Sequence, residues 1–190
     1  MADQSPQPAD PRRPRAAAAP PRLTRAVVEL EQHVAAGGWD QPVRLFALVP
    51  TAELLAAQPD LADQLGGDAL LLDPGHLTPV EQEVPAHDGL EELLAGIVWP
   101  PEVAGTAVAV ERLVLPPDAE GALPDDPAAA AAFAAGHPGR QEVRLAVGVL
   151  RDGSRECAVR LRSADRDQDV RSGADLVPGL ARALAATLED

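Results

Sequence analysis

RQEVRLAVGVLRDGSRECAVRLRS, residues 140–163, alternates apolar and polar side chains on either side of a short polar break. Val143, Leu145, Val147 and Val149 share one face of a strand, and Cys157, Val159 and Leu161 continue an apolar face on the way back, which predicts a β-hairpin. Pairing apolar with apolar sets Val149 opposite Cys157, Val147 opposite Val159 and Leu145 opposite Leu161, and leaves Asp152, Gly153 and Ser154 as the loop. A two-residue Asp-Gly turn would set one strand's core face against the other's solvent face, because a one-residue slip inverts a strand. The parity therefore asks for a three-residue loop or a bulge. The second face carries Arg144, Ala146 and Gly148 against Arg162, Arg160 and Ala158. Its small residues leave room for a helix to approach closely, while Arg144 opposite Arg162 needs water or a carboxylate nearby.

Outward from the hairpin, helices and strands interleave. Leu23, Val27, Leu30 and Val34 fall on one helical stripe that Gly37 and Gly38 end. Val43 to Val49 is apolar on both faces and reads as a central strand. Thr51 is the expected N-cap of a helical region that Pro59 splits in two. Thr78 to Val84 is extended, and Pro79 restricts it to an edge. Asp88, with Glu91 three residues on, starts a helix carrying Leu90, Leu93, Leu94 and Ile97. Gly105 to Leu115 is a long strand whose pattern changes face near Glu111 and Arg112, which suggests a bulge or sharp twist. Asp126-Pro127 opens an alanine helix, residues 163–173 are charged loop, and residues 175–188 form a last helix. The one clear strand connection is antiparallel. The pattern predicts an α+β fold, a mainly antiparallel sheet of about five strands with helices packed mainly on one face; an α/β fold with a partly parallel sheet is the alternative.

The chain is long enough for one domain with a sizeable core. Residues 1–21 are Pro/Ala/Arg-rich without apolar periodicity and read as a disordered tail, residues 22–190 as a single α+β domain. A hydrophobic content of 46% with only 2% aromatics means that the core is aliphatic and alanine-rich. A single cysteine excludes an internal disulfide framework, and no run approaches the roughly 20 apolar residues of a membrane span. The expectation is a cytoplasmic protein that inserts in no membrane. The net charge of −14 argues against nucleic acid. Its distribution is uneven: residues 23–139 carry −16 and residues 140–171 carry +2, with half of the sixteen arginines in the latter.

No motif names a chemistry. Asp165, Asp167 and Asp169 have the spacing that begins a calcium loop, but Val170 and Leu176 stand where Gly and Glu are required. The four histidines are scattered and have no zinc-type partner. Cys157 on the apolar face reads as core. Without lysine there is no Schiff base, no pyridoxal attachment and no Walker lysine; without tyrosine, no phenolic acid; and no serine lies in G-x-S-x-G. Trp39 and Trp99 read as core. No cofactor is implied, and the residues favour a non-enzymatic protein.

Several strings resemble a locus-tag-named actinobacterial family of small acidic cytoplasmic proteins of unknown function: GWDQPVRLFALVPTAELL (residues 38–55), LTPVEQE (77–83), VERLVLPPDAEGALPDDP (110–127), HPGRQEVRLAVGVLRDG (137–153) and DLVPGL (175–180). The resemblance implies no activity, cofactor or catalytic residue. The function stays open, and two expectations follow. The first is a protein-interaction or regulatory protein that meets a protein partner through the hairpin's arginine-bearing face, Arg144, Arg160 and Arg162, with Arg151 and Arg155 at its tip. The competing reading is that these arginines neutralise acids of the same chain. The second is a small-molecule binder or enzyme with a carboxylate-lined pocket employing Glu81, Glu83 or Asp40.

Overall fold

The computed structural model describes residues 21–61, 73 and 75–189. Along the chain run α1 (Arg22–Ala35), β1 (Arg44–Pro50), α2 (Thr51–Ala57), β2 (Leu77–Gln82), α3 (Leu90–Ala95), β3 (Gly105–Val114), α4 (Pro117–Glu120), α5 (Pro127–Gly136), β4 (Gln141–Leu150), β5 (Arg155–Leu161), β6 (Arg171–Gly173) and α6 (Pro178–Ala186). The strands form one antiparallel sheet in the order β2-β1-β3-β4-β5-β6. The fold is α+β with six strands rather than five. The sixth, β6, is three residues of the stretch expected to be loop; it pairs Gly173 with Cys157 and Arg171 with Val159. The expected tail, apart from Pro21, and most of the second half of the helical region after Thr51 lie outside the described residues.

The β4–β5 hairpin keeps the expected parity but pairs two residues away from the expected register. Cys157 faces Val147, Val159 faces Leu145 and Leu161 faces Val143. The loop sits one residue earlier than expected. Leu150 N–H donates to Ser154 O, Gly153 N–H donates to Leu150 O, and Gly153 takes φ +85°. A three-residue hairpin loop needs a residue in this left-handed conformation before the strand resumes, and glycine supplies it without a Cβ clash. Arg144 consequently faces Arg160, not Arg162.

Helices cover both faces, which replaces the expectation of helices mainly on one. The face bearing Leu45, Val108, Val110, Leu145, Val147 and Cys157 packs under α3 and α6 through Leu94 and Leu184, with Leu188 just past the end of α6. The opposite face carries Ala107, Ala109, Ala146, Gly148 and Ala158, and α1 lies on it through Leu23, Ala26, Val27, Leu30 and Val34. The approach is close: a Cβ on Gly148 would lie 2.6 Å from Val27 Cγ2 and 3.1 Å from Leu23 Cδ1. Small residues in register on three neighbouring strands thus make the bed for one amphipathic helix.

Local chemistry agrees with the sequence in places and shifts in others. Asp126 caps α5 by accepting from Ala129 N–H at 2.8 Å, with Pro127 in the first turn. β2 is an edge strand containing Pro79. Thr51 is not a cap: its hydroxyl lies 2.6 Å from His76 Nδ1 and 2.8 Å from Thr78 Oγ1. At the start of α3 it is Glu92, not Glu91, that accepts from Asp88 N–H, at 2.8 Å. β3 pairs with β4 without interruption from Gly105 to Val114, so there is no bulge at Glu111. The change of exposure there arises because β1 stops at Arg44, opposite Ala109, and leaves Leu113 and Val114 about 40% exposed.

Candidate functional site

Arg144 and Arg160 project from neighbouring strands onto the face that α1 covers, and neither reaches water: they are 1% and 2% exposed. A buried guanidinium is tolerable only if carboxylates and carbonyls meet it. Arg160 donates through Nε and Nη2 to the two oxygens of Glu31 at 2.6 and 2.8 Å, and to Asp167 at 2.7 Å and Asp165 at 3.3 Å. Glu31 sits on α1 and is itself 1% exposed, so the pair ties the helix to the sheet. These bonds raise the Arg160 pKa above that of an ordinary arginine, Glu31 contributing most. Arg144 donates from Nη2 to Glu111 at 2.8 Å and to Gly38 O just beyond the end of α1, where helix carbonyls favour a cation. Its guanidinium stacks 4.4 Å from the Trp39 ring centroid.

Arg162 lies at the margin of the same cluster and is exposed. It makes a two-pronged pair with Asp40 at 2.8 and 2.9 Å, meets Glu142 at 2.6 Å, and stands 5.5 Å from the Trp39 centroid. Hydrogen bonding to Asp40 and then to Glu142 raises its pKa, and the same bond to Arg162 lowers that of Asp40. Asp40 takes φ +67° and donates its N–H to Glu111 at 2.8 Å. Asp tolerates the left-handed region better than most residues, and here it lets the chain turn after Gly38 so that Trp39 lies under both arginines. Trp39 Nε1 donates to Asp165 at 2.8 Å. Trp39 is half-buried, and only Trp99 fits the core reading: it is 7% exposed and bonds Thr187 at 3.1 Å.

The tip arginines are also engaged. Arg151 donates to Trp99 O, Pro100 O, Val103 O and Leu188 O. Arg155 pairs with Asp175 at 2.7 Å, both exposed. All five hairpin arginines therefore bind groups of their own chain. Six carboxylates surround the three guanidiniums of Arg144, Arg160 and Arg162, so the cluster is net negative where sequence arithmetic put a positive segment.

The alternative carboxylates do not converge. Glu81 is held by Arg44 at 2.6 Å on both oxygens, Glu83 is exposed, and Asp40 is on Arg162. Asp165, Asp167 and Asp169 are all taken by Arg160 or Arg166. Among the described residues no group of three or more His, Cys, Asp or Glu is placed to hold a metal ion, and no helix is long and apolar enough to cross a membrane.

Two clefts flank Arg162. One of about 350 Å³ is lined by Trp39, Asp40, Glu111, Arg112, Leu113, Glu142 and Arg162. The other, about 570 Å³, is lined by residues 138–142 with Arg162 and Ser163. Glu111 and Glu142, which build this ledge, carry no local sequence signal; they enter through cross-strand register alone. A family model described as PPA1309-like protein matches residues 23–189. The chain belongs to this family. No curated protein and no solved structure matches it.

Proposed function

We propose that this PPA1309-like chain is a non-enzymatic protein-interaction or regulatory protein of the cytoplasm, and that its contact surface is the ledge around Arg162 rather than the hairpin face. The observation that carries the reading is that Arg162 is exposed, fixed by Asp40 and Glu142 against Trp39, and bordered by a cleft on each side. A Trp and an Arg held in place lose little freedom on binding, and such residues dominate interface energetics. Exposed Leu113 supplies apolar area in the same cleft. The carboxylates of this ledge are already hydrogen-bonded, which suits recognition better than proton transfer. A protein partner fits better than nucleic acid, because the net charge is −14 and the hairpin arginines are internally paired. The test is affinity purification from the native host with the wild type, Arg162→Glu, Leu113→Asp and Arg155→Glu. A stoichiometric protein kept by the wild type and by Arg155→Glu but lost from the two ledge variants is the expected result. No protein partner, or one that both ledge variants retain, refutes the assignment.

A further inference from the structure

The α3–α6 face has a second concavity, distinct in chemistry from the ledge. A groove of about 540 Å³ opens between these helices, lined by Leu90, Leu94, Leu145, Val177, Leu180 and Ala183, with two glycines. Leu94 and Leu145 belong to the core beneath, and the other four are partly buried against it, so the groove is the core continued to the surface. Its lining holds two charged residues, Glu91 and Arg112, and Arg112 also borders the cleft at Trp39, so it stands between the groove and the ledge. Arg112 is exposed and donates only to the carbonyl of its neighbour Glu111, at 3.1 Å; among the described residues no carboxylate pairs with it. In a chain with thirty acids and sixteen arginines, a guanidinium that stands beside an aliphatic groove with no carboxylate partner among the described residues is suited to an outside anion.

We infer that this groove takes the aliphatic C-terminal end of a partner protein, with Arg112 on the terminal carboxylate. The lining decides among occupants by what each leaves unmatched. A fatty acid would satisfy Arg112 and the aliphatic walls but offers no donor to the exposed carboxylate of Glu91 on the groove's lining. A cationic amphiphile would leave Arg112 facing a like charge. A peptide end brings a carboxylate, aliphatic side chains and backbone N–H groups that Glu91 accepts from. Size agrees: the lining runs along the α6 segment from Val177 to Ala183, about 9 Å at 1.5 Å per residue, which matches roughly three extended residues. The volume lies in the range usual for binding clefts, about 300–1,000 Å³.

The experiment is fluorescence anisotropy of the full-length chain with a dye-labelled Gly-Ser-Val-Leu-Leu peptide carrying a free C-terminus, against the same peptide amidated. Saturable binding of the free acid is expected, weakened about tenfold or more by amidation or by Arg112→Gln, since a charge-assisted bond is removed in each case. Arg162→Glu, which disables the ledge but not the groove, leaves the affinity unchanged, so failure of the ledge assignment and failure of this one are separable. Unchanged thermal unfolding of Arg112→Gln shows that its loss of binding is local. Absence of saturable binding up to about 1 mM, equal binding of acid and amide, or displacement of the peptide by equimolar dodecanoate overturns the inference.

Discussion

The Glu31–Arg160 pair makes a quantitative prediction, because its two members differ in what each leaves behind when the other is removed. Arg160→Met strands a carboxylate that is 1% exposed and, among the described residues, has no other guanidinium within hydrogen-bond distance. Breaking a buried pair in this way costs about 3–5 kcal/mol. Glu31→Met leaves the Arg160 guanidinium with Asp167 at 2.7 Å and Asp165 at 3.3 Å, both partly solvated, so the loss is smaller, about 2 kcal/mol. The double variant replaces the pair with two flexible apolar side chains, frees the two aspartates to water, and should lie within about 1 kcal/mol of the wild type. For a chain of this size, 1 kcal/mol corresponds to about 2–4 °C, so Arg160→Met should melt about 10 °C low and Glu31→Met about 5 °C low. Urea titrations at constant m-value give the full cycle, with an expected coupling of about 3 kcal/mol or more. If Arg160→Met falls within about 1 kcal/mol of the wild type, or the double variant is as unstable as the two singles added, the pair does not hold α1 to the sheet.

Gly148→Ala should destabilise by about 1–3 kcal/mol, since its methyl would lie 2.6 Å from Val27 Cγ2; adding Val27→Ala should recover part of that loss, and additive urea midpoints would argue that α1 can shift away. Cys157 is 0% exposed and burial raises its thiol pKa, so Ellman's reagent should label it only as fast as the chain unfolds; rapid labelling of the native protein contradicts the buried placement. Acid should weaken the fold. Arg162 lowers the pKa of Asp40, the Gly75 N–H that of Asp73, Arg44 that of Glu81 and the Ser154 side chain that of Asp152. Their stabilisation is complete above the unfolded carboxylate value, about 4, and is lost as pH falls through the lower folded values. Melting temperature measured from pH 6 to 2 should drop mainly below about 4, and Arg44→Met should shallow the drop.

The sequence held the two faces of the hairpin but not which of them is wet. Alternation records which side chains point the same way, and parity excluded the two-residue turn; both held. The register slipped by two because Gly153 occupies the left-handed position at the end of the loop rather than its centre, a choice that apolar pairing cannot make, since a shift of two residues returns every side chain to the same face. The arginine face looked like a solvent face because Arg144 and Arg160 stand on it, yet the residues between them already spoke for burial. A surface gains nothing from Ala146, Gly148 and Ala158 in register, whereas a helix can lie on them at close range. Once α1 is there, each arginine needs acids, and those acids come from Glu31 on α1, Glu111 across β3, and Asp165 and Asp167 after β5. None is close enough in sequence to be paired by inspection except the last two. Two of the eight arginines between residues 140 and 171, Arg144 and Arg160, are therefore the counter-charge of a buried helix contact, and Arg162 closes the cluster at its exposed rim through Asp40 and Glu142.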